Sequence, residues 1–423
     1  MSAIGQKTRL RFLLSTPLMY GASESGVEFD AKLPRYIRIT DIRPDGTLDP
    51  DKAVSLPRNT ALPYLLTDRD ILLARSGATV GKAFLYRSDG DEACFAGYLI
   101  RARCDQRRML AEYLAYYLQS AGYWDFINSS ALQATIQNVS AELYKEILVT
   151  HPSVEQQKKV VAYLDEQTRK IDQLMNMRRR QMALLKEQRA AVIQEAVTRG
   201  LNPNVPMKDS GLPWLGEIPK HWVLMPLRRR LREHRQGYYT TEPYQEKGVR
   251  LLRITDLRDS GRVDFSDSPF VENRSDIIPF FLREFDFVFA RTGGAGLFGM
   301  IETVDEPVAY ASYLIRFRFD EAASPQFLRY FFLSRSFQET LKQNIHGGVN
   351  QNVHAEDIKN LLLTLPPAVE QSEIVSFLNG EGSKFDALHA AYTRQLTLLT
   401  EYRTALIHEC VTGQRSVPET VTA

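Results

Sequence analysis

Apolar residues recur along this chain with the spacing of strands in some segments and with the spacing of helices in others. Short runs rich in Ile, Leu, Phe and Tyr, broken by Gly and Pro turns, predict β-strands. They are LRFLLS, RYIRITDI, DILLAR, AFLYRS and CFAGYLIRARC. A helical spacing of apolar residues in RRMLAEYLAYYLQS predicts a helix. The first part of the chain therefore reads as a mixed α/β domain.

Two later segments keep a seven-residue apolar step, which predicts long helices of the coiled-coil type. The predicted seam is formed by Leu164, Ile171, Leu185, Val192, Leu378, Phe385, Tyr392, Leu399 and Leu406. Two similar helices in one chain are each other's simplest partners. About 40 residues at a rise of about 1.5 Å give a rod of about 60 Å, which we expect to hold the globular parts apart.

The sequence of this domain occurs twice in the chain. RITDI at 38–42 returns as RITDL at 253–257, and DILLARSG, YLIRAR and QNVSAE return as DFVFARTG, YLIRFR and QNVHAE. These matches keep their order at a spacing near 215 residues, which indicates an internal repeat. We therefore expect an α+β fold with two homologous α/β domains and two long helices packed as an antiparallel coiled coil.

The predicted boundaries follow from the turn and linker signals. Gly200 and the Gly- and Pro-rich segment after it predict the end of the first long helix and a linker. We place the two domains at 1–150 and 219–364, the helices at 151–200 and 365–414, the linker at 201–218 and a tail at 415–423.

Composition narrows the functional classes. The net charge of +2 argues against a uniformly basic surface, so a nucleic-acid site has to be a local patch. No apolar run approaches the length of a membrane span and the N-terminus lacks a signal-peptide pattern, so we expect no membrane partner. The cysteines at 94, 104 and 410 have no zinc spacing. They favour buried thiols in the cytoplasm.

Catalytic motifs are missing from the sequence. GATVGKA has one residue too few for a phosphate loop and lacks its Ser or Thr, and the second copy loses the lysine. HExxH, GxSxG and Cys–His clusters are also absent. The sequence therefore predicts a chain that is not an enzyme and that carries no metal.

Two similar domains on a rigid spacer suit duplex DNA, whose half-sites recur along one face. The loops of the two copies differ, so the predicted target is asymmetric. The candidate DNA-binding residues are Arg38, Arg75, Ser76, Lys82, Arg253, Arg291 and Thr292.

A structural interpretation competes with DNA binding for several of these residues. Arg38 and Arg253 are each followed three residues later by an aspartate, and pairing with that aspartate is the simpler interpretation. Arg75 and Arg291 finish a strand and could equally pair with a carboxylate. In QNVSAE and QNVHAE, the Asn or Ser is typical of a helix cap.

Three segments carry a resemblance to a known family. PSVEQQKKVVAYLDEQTRKIDQL, LLKEQRAAVIQEAVTRGLNPNVPMKDSGLPWLGEIPKHW and PPAVEQSEIVSFLNGEGSKFDAL closely resemble the conserved regions of specificity (S) subunits of type I restriction-modification enzymes. The resemblance implies two target-recognition domains, each reading half of a split DNA site, with antiparallel helices that set the spacer. The subunit itself carries no catalytic residues and no cofactor.

The resemblance also implies partners. They are double-stranded DNA, two methyltransferase (M) subunits that bind S-adenosylmethionine and methylate adenine, and motor-nuclease (R) subunits that use ATP and Mg²⁺. Three alternatives stay open at this point. They are a stand-alone two-headed DNA-binding protein or anti-restriction decoy, a nuclease, and a protein scaffold that does not bind DNA.

Overall fold

The computed structural model describes residues 5–43, 46–131, 138–212, 214–294, 296–343 and 352–418. The chain divides into two compact units. Unit 1 combines residues 1–179 with 393–423, and unit 2 comprises residues 180–392.

Unit 1 is built from three small sheets and a set of helices. Its strands are β1 (Gln6–Arg9), β2 (Leu14–Tyr20), β3 (Val27–Glu28), β4 (Arg35–Ile37), β5 (Val54–Ser55), β6 (Ile71–Ala74), β7 (Ala83–Leu85), β8 (Ala93–Phe95), β9 (Leu99–Cys104) and β10 (Leu148–His151). The sheet orders are β2-β9-β6-β7, β3-β5-β4-β8 and β1-β10. The helices that begin in this unit are α1 (Arg58–Ala61), α2 (Ala111–Tyr117), α3 (Ala121–Ala131), α4 (Ala141–Tyr144) and α5 (Val154–Arg199).

Unit 2 repeats this plan after a short hairpin. Its strands are β11 (Met207–Asp209), β12 (Glu217–Pro219), β13 (Val223–Pro226), β14 (Leu231–Gln236), β15 (Val249–Leu252), β16 (Phe270–Val271), β17 (Phe287–Ala290), β18 (Phe298–Met300), β19 (Val308–Tyr310), β20 (Leu314–Phe319) and β21 (Leu362–Leu365). The helices that begin here are α6 (Pro325–Leu333), α7 (Arg335–Gln343), α8 (Ala355–Lys359) and α9 (Ala368–Val411). The β11–β12 hairpin begins within the predicted linker at 201–218 and ends at Pro219, one residue beyond it.

The four-stranded antiparallel sheets of the two units have the same topology. The order β14-β20-β17-β18 in unit 2 corresponds to β2-β9-β6-β7 in unit 1, and every pairing in both is antiparallel. A second sheet in each unit contains one parallel pair, β4 with β8 and β15 with β19. The α+β class and the internal repeat predicted from the sequence are confirmed.

The predicted strand LRFLLS is wrong in its first part, and RYIRITDI is a strand only to Ile37, because Ile39–Asp41 form a 3₁₀ turn. Residues Leu10–Leu13 of LRFLLS form a 3₁₀ turn, and β2 begins only at Leu14. Leu10 and Leu13 are both fully buried. Apolar side chains three residues apart lie on one side of a 3₁₀ turn, whereas a strand would place them on opposite faces.

The long helices α5 and α9 contain 46 and 44 residues. In unit 1 the beginning of α5 packs antiparallel to the end of α9, and the core there includes Leu164, Ile171 and Leu406. In unit 2 the end of α5 packs against the beginning of α9, through Ile193 and Leu378. Each helix end also packs on the mixed domain of its unit.

The nine predicted seam residues differ in burial. Leu164, Ile171, Leu378, Phe385 and Leu406 are buried, and Leu185, Val192, Tyr392 and Leu399 are half-buried. The apolar stripe widens near the helix ends, where the helices also face the domains. The buried residues outside the predicted seam include Ile193, Ala196, Val197, Ile374, Ile407, Cys410 and Val411.

Candidate nucleic-acid interface

Arg75 lies immediately after β6 and is held by its main chain. Its N–H donates to the carbonyl of Tyr98 at 3.1 Å, and its carbonyl accepts from the N–H of Val139 at 2.8 Å. The main chain of Arg75 is therefore fixed between the turn before β9 and the segment before α4. The orientation of the following residues is defined by the scaffold.

Arg291 lies immediately after β17 and is held in the same way. Its N–H donates to the carbonyl of Tyr313 at 2.8 Å, and its carbonyl accepts from the N–H of Val353 at 2.8 Å. The two units thus place an arginine at the same strand end with the same main-chain partners. We call this arrangement the strand-end site.

The next residue of each strand-end site pairs with an asparagine. Ser76 forms an isolated bridge with Asn138, as Thr292 does with Asn352. The Thr292 hydroxyl donates to the Asn352 Oδ1 at 2.6 Å, and the Arg75 Nε lies 3.5 Å from the Asn138 Oδ1. The asparagine of each QN motif therefore supports the strand-end site and not the following helix.

The helix-capping interpretation holds for the serine of the first motif. The Ser140 Oγ accepts from the N–H of Leu143 at 3.3 Å and caps α4. In the second copy the Asp357 carboxylate accepts from the N–H of His354 at the start of α8, at 2.7 Å. The glutamines of both motifs lie outside the described residues.

The guanidinium groups of the strand-end arginines are not engaged by a buried carboxylate within the described residues. The Arg75 Cζ lies 4.8 Å from the centroid of the Tyr20 ring, which is a cation–π distance. None of the described residues forms an ion pair with Arg291. Both groups are half-buried, so their free donors are available to a phosphate or a base edge.

An exposed tyrosine accompanies each strand-end site. Tyr98 is 68% exposed and Tyr313 is 59% exposed. Each lies in a tight turn, closed by hydrogen bonds of 2.9 Å from Leu99 N–H to Ala96 and from Leu314 N–H to the equivalent alanine. A ring this exposed contributes little to folding, whereas a tyrosine beside arginine, hydroxyl and amide groups matches the side chains that contact DNA phosphates.

Sequence reasoning missed these tyrosines because YLIRAR and YLIRFR read as continuous strands. The strands begin one residue later, at Leu99 and Leu314. The signal was present, since a tyrosine recurs at the same position of both copies directly before a strand.

Lys82 is exposed in the connection from β6 to β7. Its carbonyl accepts from the N–H of Ala74 at 2.8 Å, so the segment closes an antiparallel hairpin. Gly77 and Gly81 have positive φ angles of 76° and 83°. A phosphate loop would have to lead into a helix N-terminus, and this segment leads into a strand.

Arg38 and Arg253 are engaged within their own units. The Arg38 Nη2 lies 2.9 Å from the Asp41 Oδ1, and the Arg253 Nη2 lies 3.3 Å from the Asp256 Oδ1. Both guanidinium groups also donate to a main-chain carbonyl, at 2.8 and 2.7 Å. The structure therefore contains the ion pairs of the structural interpretation, and DNA contact by these two residues stays a prediction.

A buried ion pair joins two neighbouring strands of the four-stranded antiparallel sheet in each unit. Arg103 donates to both carboxylate oxygens of Asp70 at 2.7 Å, and Arg318 donates to those of Asp286 at 2.7 and 3.0 Å. The hydrogen bonds to Asp70 raise the pKa of Arg103. A bidentate pair of this kind fixes β6 against β9 at the end of the β6–β9 pair opposite to the strand-end site.

The three cysteines are buried thiols. Burial raises the pKa of Cys94 and Cys104 to about 12 and that of Cys410 to about 11, so these thiols stay protonated. No group of three or more His, Cys, Asp and Glu residues in the described ranges is arranged to bind a metal. The described helices include none that combines the length and the apolar character needed to cross a membrane.

A family model and several curated proteins match this chain. A family model described as the type I restriction modification DNA specificity domain matches residues 271–397. The EcoKI specificity subunit of Escherichia coli (strain K12) is 26% identical over 359 residues, which are 82% of this chain and 74% of that protein. The MjaVIII specificity subunit of Methanocaldococcus jannaschii is 24% identical over 321 residues, which are 74% of this chain and 72% of that protein.

Solved structures share the fold over nearly the whole chain. One comes from a study of complex assembly and conformational transition of the type I R-M system; it has a TM-score of 0.74 at 14% identity and covers 97% of this chain and 98% of its own. The HsdS subunit from Thermoanaerobacter tengcongensis has a TM-score of 0.52 at 15% identity and covers 98% of both chains. The chain is therefore similar in sequence and in fold to type I restriction-modification specificity subunits, as its sequence predicts.

Proposed function

We propose that this chain is the DNA sequence-specificity subunit of a type I restriction-modification complex, and that each unit reads one half of a bipartite DNA site. The observation that carries the proposal is the strand-end site, which occurs in both units with equivalent arginine, hydroxyl, asparagine and tyrosine residues. Arginine donors and hydroxyl groups bind phosphates and base edges, and two equivalent sites suit two half-sites.

The half-sites are expected to differ. The two units share sheets and buried pairs, but the connections between strands have different lengths and side chains. Such loops carry the recognition chemistry of a shared scaffold. The proposed target is therefore asymmetric.

The long helices supply a spacer of defined length. The 46 residues of α5, at a rise of about 1.5 Å each, make a helix about 70 Å long. We propose that α5 and α9 set the number of unread base pairs between the half-sites.

Exposed leucines at equivalent positions of α5 and α9 support two copies of one partner. Leu174 on α5 and its equivalent Leu388 on α9 are exposed, as are Leu184 and its equivalent Leu398. An exposed leucine that recurs at the same helical position in both repeats indicates a contact with another protein rather than a random occurrence of leucine. We propose two methyltransferase (M) subunits as these partners.

The chemistry is assigned to the partners. Methyltransferase subunits would bring S-adenosylmethionine and transfer its methyl group to adenine, and motor-nuclease (R) subunits would bring ATP and Mg²⁺. This chain would bind DNA, orient it and hold the partners, without catalytic residues of its own, in the cytoplasm.

Co-expression with a type I methyltransferase (M) subunit from the same genome tests the proposal. We expect a co-purifying complex that binds duplex DNA with an affinity that falls steeply with salt concentration, because phosphate contacts release counterions. A chain that binds DNA but no methyltransferase would favour a stand-alone DNA-binding protein. A chain whose complex binds no DNA at low salt would contradict the proposal.

A further inference from the structure

The loops that follow β2 and β14 begin at a close crossing of two main chains. Gly237 N–H donates to the Leu314 carbonyl at 2.9 Å, and a Cβ on Gly237 would overlap the carbonyl oxygen of Ala311. A Cβ on Gly21 would overlap the carbonyl oxygen of Ala96 in the same way. Only glycine permits this approach. We call this feature the glycine crossing.

The glycine crossing places the start of each loop beside the strand-end site. Ala96 and Ala311 lie two residues before the exposed Tyr98 and Tyr313. In unit 2 the crossing continues as a parallel bridge between Tyr238 and Ala311. Each unit therefore sends its chain out of the sheet at the same point of the proposed DNA-binding surface.

The loops that leave the crossing have different chemistry. In unit 1, residues 23–30 are exposed and mostly acidic or small, with Phe29 as their exposed ring. In unit 2, residues 239–248 carry Tyr239 and Tyr244, which are 72% and 58% exposed. Both loops carry acidic groups, but the same scaffold position presents two exposed tyrosines in unit 2 and one exposed ring, Phe29, in unit 1.

The loop of unit 2 is fastened at both ends. The ring of Tyr238 packs on that of Phe280 with centroids 5.4 Å apart, and its N–H donates to the Tyr310 carbonyl at 2.8 Å. At the other end, Gln245 N–H donates to the Phe270 carbonyl at 2.8 Å. The two exposed tyrosines between these anchors are held on a short segment, so little ordering is needed when they bind a partner surface.

We propose that Tyr239 and Tyr244 contact base edges of the half-site read by unit 2 and determine part of its sequence. This inference rests on the proposed function. A tyrosine ring offers an apolar face to the C5-methyl group of thymine, and its hydroxyl donates to base acceptors in the major groove. The strand-end site then supplies phosphate contacts common to both units, and the loop after the glycine crossing supplies the reading that differs between them.

The test uses the full-length chain in complex with its methyltransferase subunits. The complex methylates a duplex library that is randomised in either half-site, and the methylated molecules are sequenced. The variants are Tyr239→Ala, Tyr244→Ala, the double variant and Tyr239→Phe. Phe29→Ala in unit 1 is the matched control, because it removes an exposed ring from the equivalent loop.

We expect the double variant to accept wrong bases in the second half-site about tenfold more often at one position or more, since one good base contact discriminates by about 1–3 kcal/mol. The first half-site stays as in the wild type. Phe29→Ala leaves the second half-site unchanged. A double variant that methylates with an unaltered second half-site overturns the inference.

If the double variant methylates no DNA, its DNA-binding affinity tests the inference instead. Its affinity is measured for the wild-type site and for a site with a scrambled second half. Discrimination between the two sites that is about tenfold weaker than in the wild type, or lost, supports the inference, and discrimination equal to that of the wild type overturns it. A wild-type chain that directs no two-part motif overturns the proposed function, which is a result distinct from failure of this inference alone.

Discussion

Asp172 of α5 pairs with Arg403 of α9 inside unit 1, with the Nε 3.0 Å from the Oδ1. In unit 2 the equivalent residues exchange helices: Arg189 of α5 pairs with Asp386 of α9 at 2.6 Å. Antiparallel pairing of two copies of one helix produces this exchange. The internal repeat is therefore present in side-chain contacts as well as in the order of the strands.

Reversing the charge at Arg403 tests this interhelical pair. Arg403→Asp places two carboxylates together and should lower the free energy of unfolding by about 1 kcal/mol, since both groups are partly exposed. The swap Asp172→Arg with Arg403→Asp should restore most of it. Urea unfolding of the three chains measures the effect, and a swap that is no more stable than the single variant would show that the pair is not coupled.

Gly380 lowers the stability of α9 without serving its packing. A Cβ at this position would meet no atom within 4 Å, so Gly380→Ala should raise the free energy of unfolding by about 0.5–1 kcal/mol. Gly237→Ala is the contrasting variant, because its Cβ overlaps the Ala311 carbonyl and should destabilise unit 2. Thermal unfolding of both variants separates helix propensity from close packing, and opposite shifts are expected.

Replacing Arg291 with Ala should weaken binding of one half-site. Loss of one phosphate or base contact is expected to reduce affinity about tenfold and, for a phosphate contact, to reduce the slope of log affinity against log salt by about 1. Arg75→Ala should act on the other half-site. Each variant is titrated with duplexes in which one half-site is scrambled, and this shows the half-site at which affinity is lost. An equal loss at both half-sites would contradict separate reading by the two units.

Lengthening the helices should change the spacer and not the bases read. Seven residues are inserted in the Leu164–Val192 part of α5 and at the equivalent part of α9, so that the apolar step is kept. The helices lengthen by about 10 Å, which is about three base pairs. Methylated sites should show a longer gap or no methylation, with both half-sites retained where activity remains; an unchanged gap would exclude the helices as the ruler.

Charged substitutions at the exposed leucines should remove one partner each. Leu388→Asp and its equivalent Leu174→Asp place a carboxylate in the proposed protein contact, so each complex should retain one methyltransferase subunit where the wild type binds two. Leu201→Asp, at an exposed leucine outside the two helices, is the control. Native mass measurement counts the subunits, and two retained in every variant would place the contact elsewhere.

The sequence predicted the repeat, the long helices and the strand-end residues because these rest on local patterns and on self-similarity. The 3₁₀ turn at Leu10–Leu13 was missed because four residues hold too little of either period. The widened stripe at the helix ends, with Ile193 and Val411, depends on tertiary packing against the domains.

The candidate site was predictable only in part. Arg75 and Arg291 stood out because a strand end recurs with the same side chains. The partners Asn138 and Asn352 were interpreted as caps, since their bridges to the strand ends join residues about 60 positions apart. The sequence of a single repeat gives no sign of the glycine crossing. It is seen only in the structure, where two main chains come close together.

Mapping of N6-methyladenine across a genome tests the central claim most directly. Cells that express the methyltransferase subunit with this chain are compared with cells that express the methyltransferase alone. The account predicts methylation that depends on this chain and marks one two-part motif with a constant gap. Methylation that is absent, or that follows a single uninterrupted motif, despite a soluble complex, would contradict it.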